Sequence, residues 1–136
     1  MSRVINPDSA GKERTHLTKA IVLAVRELAR QSEIDDLTKD MAAFIALALF
    51  RVDATIDTSV QAWEKRGYWV KADKFRMEWL WAGQLAGKMK EAIIKDDWAT
   101  VALLSVQIGQ KLGKIQIAEH HRLGTPWVGA YKKLLE

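Results

Sequence analysis

The chain has 136 residues, 49% hydrophobic and 28% charged, with a net charge of +4 and no cysteine. That length suits one domain with its own core, and that composition excludes the disordered class. The missing thiol excludes disulfides, thiolate metal sites and cysteine nucleophiles, and it fits a reducing compartment, so the expected location is the cytoplasm.

Arg3, Asp8 and Lys12 precede any apolar run, which argues against a secretory leader. The longest apolar run, Met41 to Phe50, is ten residues. A membrane span needs about twenty, so this run reads as a buried core helix with no membrane partner. Charge is uneven along the chain. Residues 1–30 carry +3, residues 31–60 carry −4, residues 61–100 carry +2 and residues 101–136 carry +3.

Residues 1–8 read as an extended arm, with a turn at Asn6-Pro7 and Ser9 as a helix N-cap. A first helix is predicted from Ala10 to Arg30, because Leu17, Ala20, Ile21, Ala24, Val25 and Leu28 recur at helical steps. Ser32 with Asp35 resembles a capping box for a second helix running to Arg66, with Gly67 as its stop. Its core line is Leu37, Met41, Phe44, Ala48, Val52, Ile56 and Trp63.

A third helix is expected from Val70 to Lys95, burying Phe75, Trp79, Ala82, Ala86, Met89 and Ile93. Asp96 or Asp97 caps a fourth helix predicted to reach Leu123, with Val101, Ser105, Ile108, Leu112 and Ile115 inside. Thr125-Pro126 then reads as the start of a short fifth helix over 125–135, presenting Trp127, Tyr131 and Leu134. Short linkers between long helices imply antiparallel neighbours. The predicted fold is therefore all-α, a single-domain up-and-down four-helix bundle with a short C-terminal helix. Gly83 and Gly87 are expected to face Gly109 and Gly113 across the third and fourth helices, letting the backbones approach closely.

No catalytic, phosphate-cradling or metal motif is present. Glu13 and His16 form one Glu-x-x-His pair, but a carboxylate-bridged metal centre needs two such pairs. Glu119, His120 and His121 are consecutive, so on a helix their side chains splay by about 100° each. Asp36, Asp40, Asp53, Asp57 and Glu64 fall close to one stripe of the second helix. That stripe reads as a solvated or lysine-paired face and, as a lesser alternative, as the site of a magnesium-dependent enzyme or small-ligand binder. The Glu-x-x-Glu pattern of helical nucleotide pyrophosphatases is absent. No cofactor and no metal site is predicted.

Two features point to macromolecular partners. Lys12, Lys19, Arg26 and Arg30 follow one face of the first helix, and Lys71, Lys74 and Lys88 follow a line on the third. Lys65, Arg66, Tyr68 and Trp69 precede that line. Cations beside exposed aromatics suit nucleic acid, the second reading. The first reading rests on the six tryptophans. Trp79 and Trp81 point about 200° apart on a helix, so Met77, Trp81 and Leu85 define a second apolar face. Trp127 and Tyr131 of the C-terminal helix, or another subunit, are expected to cover it. The leading expectation is thus a non-enzymatic interaction protein, homo-oligomeric or part of an assembly.

Overall fold

A computed structural model describes residues 7–136. Residues 7 and 8 of the predicted arm belong to the first helix, and the rest of that arm lies outside the described residues. Among the described residues there are five helices and no strand: α1 Pro7–Ala29, α2 Asp36–Lys65, α3 Trp69–Ile94, α4 Trp98–Lys111 and α5 Ala130–Leu135. No helix is long and apolar enough to cross a membrane.

The helix ends follow from local chemistry. Pro7 opens α1, where its fixed φ and missing N–H cost nothing, so Ser9 lies inside the helix rather than capping it. α2 begins three residues later than the Ser32 box predicts. Asp35 is the cap: its carboxylate accepts from Thr38 N at 2.9 Å and from Thr38 Oγ1 at 2.9 Å. The same Asp-x-x-Thr box starts α4, where Asp97 accepts from Thr100 N at 3.2 Å and Thr100 Oγ1 at 2.6 Å. Each box holds its aspartate below the usual carboxylate range through these hydrogen bonds.

α2 ends as the sequence predicts. Gly67 takes the left-handed conformation at φ 81°, and Tyr68 N donates back to Trp63 O at 3.0 Å, the Schellman arrangement. α3 ends the same way with Asp96 at φ 54° and Asp97 N donating to Ala92 O at 2.9 Å. Both turns are tight, which lays α2 against α3 and α3 against α4.

α2 is the central element, packed against α1, α3 and α5. Its stretch Met41–Leu49 is apolar because neighbours cover most of it, with Phe44 and Leu47 half-buried and the following Phe50 exposed. Met41, Ala42, Ala43, Ile45, Ala46, Ala48 and Leu49 are buried, and the alanines let those neighbours come close. Ile21, Ala24, Ala86, Met89, Ile93, Val101 and Ile108 complete the main core. Leu37, first in the predicted core line of α2, is exposed, since it lies in the opening turn beyond the reach of neighbours. Arg14 ties the open end of the helices together. Its guanidinium donates to Thr55 O, Thr55 Oγ1 and Ser59 Oγ at 3.3 Å each, and it lies 4.8 Å from the centre of the Phe75 ring.

The largest departure from expectation is α4, which stops at Lys111 rather than near Leu123. Gly109 and Gly113 each cost about 1 kcal/mol relative to alanine in a helix. Beyond them Ile115 and Ile117 are half-buried while Gln116 and Ala118 are exposed, a period of two that no helix supplies. The glycines do not face one another. A Cβ on Gly83 would lie 2.9 Å from Asp53 Oδ2, and one on Gly109 3.3 Å from Val25 Cγ1, so Gly83 admits α2 and Gly109 admits α1.

After α4 the chain returns to α2. α5 starts at Ala130 rather than at Pro126, behind a left-handed Gly129 at φ 80°. Asp40 fixes it: its carboxylate accepts from Gly129 N at 3.1 Å and Tyr131 N at 2.9 Å. Trp127, Ala130 and Leu134 are buried there. Trp127 Nε1 is buried without a hydrogen-bond partner, so α5 is held at some polar cost. A six-residue helix does not persist alone. Asp40→Ala is therefore expected to cost about 1–2 kcal/mol, and to speed amide exchange across α5 while α1–α3 stay protected. Hydrogen exchange and chemical denaturation check this, and unchanged α5 exchange would show that apolar packing alone holds the helix.

Candidate functional site

The early end of α4 leaves the first three turns of α3 uncovered. α4 runs antiparallel to α3 from the tight turn at 95–97, and its last residues lie beside Trp79 and Trp81. Below that level a groove of about 840 Å³ opens, lined by Trp63, Tyr68, Trp69, Val70, Lys71 and Lys74, with Phe75 and Glu78 in its wall. A series of aromatic rings leads from the groove toward the end of α4. Trp63 meets Phe75 edge-on at 4.8 Å, Phe75 lies 6.4 Å from Trp79, and Trp79 stacks on Trp81 at 5.7 Å. Lys71 Nζ sits 4.7 Å from the centre of the Trp63 ring, a cation–π contact. Tyr68 is 55% and Trp69 59% exposed, although both are side chains that folding ordinarily hides.

A second surface lies on α4. No charged residue occurs from Trp98 to Gln110. Val101, Leu104, Ser105 and Ile108 face the core. On the opposite side Ala99, Ala102, Leu103 and Val106 face outward, with Leu103 66% and Val106 59% exposed. A cleft of about 220 Å³ beside them is lined by Leu28, Ile34, Thr38, Trp98, Val101 and Ala102, with Gln31, Ser32 and the charged Glu33 also in its wall. The outward faces of α1 and α2 carry charges instead. The sequence signal for this surface was the uncharged run of thirteen residues, which the core pattern of α4 uses on one side only.

The five residues expected to form one apolar interface are dispersed. Leu85 and Trp127 are buried within the chain, Trp81 and Tyr131 are half-buried, and Met77 is exposed. α5 packs on α2, so Trp127 and Tyr131 do not cover Trp81. The end of α4 and the Gly113–Ile115 segment approach Trp81 instead. Lys39 Nζ lies 5.5 Å from the Tyr131 ring centre.

The basic residues also divide. Lys12, Lys19 and Arg26 are exposed on α1, and Arg30 pairs with Glu27 at 3.0 Å. Lys71 and Lys74 line the groove, whereas Lys88 is about 20 Å further along α3 at 1.5 Å per residue. α1 and α3 each pack on α2 and α4, which sets them across from one another with outward faces turned apart. The two basic lines do not make one continuous surface.

The acidic stripe of α2 is distributed among structural tasks. Asp40 caps α5, Glu64 accepts from Arg76 at 3.4 Å, and Asp36 and Asp57 are exposed. Glu13 is held by Arg51 across α1 and α2, and this pairing lowers its pKa, so it does not stand ready with exposed His16 for a metal. Glu119, His120 and His121 lie exposed in the irregular segment rather than on α4. Among the described residues no three potential ligands gather around one point. Ser59 accepts from Arg14, and Ser105 Oγ donates to Val101 O at 2.8 Å.

No family model, curated protein or solved structure matches the chain.

Asp53 of the stripe has its proton affinity raised, through burial against Gly83 and the nearby charge of Asp57. A raised folded pKa means that the folded state holds the proton more tightly than the unfolded chain. Stability therefore falls as pH rises from the ordinary aspartate value through the raised one, and the deficit is complete at neutral pH. Asp53→Asn is expected to be more stable than the parent chain at pH 7, with the difference closing under acid. Urea denaturation across that range checks it, and a pH-independent difference would contradict it.

Proposed function

We propose that the chain is a non-enzymatic helical interaction protein whose α1–α4 form an up-and-down four-helix bundle, and that it pairs with a second copy of itself through the outward face of α4. The bundle reading is supported by the packing of α1 on α2, α2 on α3, α3 on α4 and α4 on α1, which closes a ring. A cytoplasmic location is supported by the absence of cysteine.

The observation that carries self-association is the uncharged circumference of α4. α4 turns Leu103 and Val106 away from its own core, with only the uncharged Gln107 and Gln110 beside them, and exposed apolar surface of this kind suits a partner. Neutrality also selects the partner. Copies of a +4 chain repel one another, and they do so least where neither presents a charge. A two-fold contact joins one patch to itself. Each copy offers both projecting Leu103 and Val106 and the cleft beside Ile34 and Ala102 to receive them.

The size of the patch limits the contact. α4 is about 21 Å long, so an α4–α4 contact covers a few hundred Å² and needs flanking residues of α1 and α3 to approach the ~800 Å² per partner of a standard interface. The expected complex is a micromolar dimer. Sedimentation equilibrium from low to hundreds of micromolar should show a monomer–dimer transition. Leu103→Glu with Val106→Glu should abolish it without changing helix content by circular dichroism. A parent chain that stays monomeric throughout would contradict the proposal.

A further inference from the structure

We propose that the groove at the α2–α3 turn binds single-stranded nucleic acid, with Trp69 and Tyr68 stacking on bases and Lys65, Arg66, Lys71 and Lys74 contacting phosphates. This site is separate from the α4 face and does not depend on pairing of the chain.

Three observations carry it. The first is exposure. The tight Schellman turn at Gly67 places Tyr68 and Trp69 at the tip of the hairpin, both more than half exposed and both on the rim of the groove. Bases of any sequence stack on such rings. The second is charge. The nearby carboxylates of Glu64 and Asp73 are both engaged by Arg76, at 3.4 and 2.7 Å. Lys71 and Lys74 line the groove, Lys65 and Arg66 precede Gly67 in the adjoining turn, and among the described residues none of the four has a carboxylate within 4.0 Å, which leaves the groove mouth net positive. Glu78 is the one carboxylate in the wall, and it opposes an anionic ligand. The third is dimension. The stretch of α3 not covered by α4 spans about ten residues, or ~15 Å, the length of about four stacked bases at ~3.4 Å each.

An apolar helix would fill the groove volume equally well, but it would leave these cations unmatched. An acidic polypeptide would match them without needing exposed indole and phenol rings. A strand that is both anionic and aromatic uses the cations and the exposed rings together, with Glu78 the one group against it.

The test is fluorescence anisotropy of the full chain with a fluorescein-labelled twelve-residue oligothymidine, over a salt series, alongside a labelled polyglutamate of similar charge. Saturable oligothymidine binding is expected, falling with salt at a log–log slope of about −2.8 for four phosphate contacts on a single strand. Trp69→Ala should weaken it by about tenfold or more, in line with loss of one stacked base. Lys71→Ala with Lys74→Ala should reduce the slope by about half. Glu78→Gln should tighten binding. Trp69 is exposed, so its replacement should leave the thermal melt unchanged, and a shifted melt would move the stacking test to Tyr68→Ala. No binding at low salt would overturn the proposal. So would equal binding of polyglutamate, or oligothymidine binding indifferent to loss of the aromatic side chain.

Discussion

Ten consecutive apolar residues in the middle of α2 have no polar side to offer water, and the rest of the structure is arranged to cover them. α1 and α3 cover two sides through tight antiparallel connections. The third side is covered by chain that follows α4. α4 therefore ends after fourteen residues, at two glycines and an alternating Ile-Gln-Ile segment, and the remainder travels back to dock α5 against α2. Asp40 makes that docking specific by accepting two backbone N–H groups that a six-residue helix cannot satisfy alone.

Covering α2 in this way exposes α3. A fourth helix reaching Leu123 would have run the length of α3 and buried the rings near the α2–α3 turn. Because it stops beside Trp79 and Trp81, the groove below it stays open and Trp69 and Tyr68 stand in water. Apolar exposure of this kind lowers solubility and favours association. Two places where it occurs, the tip of the α2–α3 hairpin and the outer side of α4, differ in kind. The first is ringed by cations and the second carries no charge, so the first suits an anionic ligand and the second an identical neighbour.

Much of the fold was legible in the amino-acid sequence because helical periodicity and end signals agree there. α2 and α3 fall within a residue or two of expectation at the Gly67 turn, where one residue must adopt positive φ and glycine supplies it. Two kinds of feature were not legible. Ser32 and Asp35 offer overlapping capping boxes, and only the engagement of Thr38 decides between them; the repeat of Asp-x-x-Thr at Asp97 was the available hint. The end of α4 was missed because Leu112 and Ile115 continue the apolar period past Gly113, whereas the Ile115–Ile117 alternation signals extended chain. The site fared less well. Lys71, Lys74, Tyr68 and Trp69 were identified as residues but assigned to long helix faces, since their gathering into one groove depends on where α4 stops. Leu103 and Val106 were passed over because attention to the inner line of α4 left its outer line unread, and Leu85 and Trp127 were assigned to an interface although neighbours within the chain enclose them.

The pairing of copies through α4 is the claim on which the functional reading rests, and hydrogen–deuterium exchange of the unmodified chain at several protein concentrations addresses it most directly. If α4 faces its symmetry mate, protection of its amides should rise with concentration, together with those of the flanking residues near Ile34, while the Tyr68–Trp69 turn stays unchanged. Exchange in α4 that is independent of concentration, in a range where the α1 and α2 amides report an intact fold, would contradict the account.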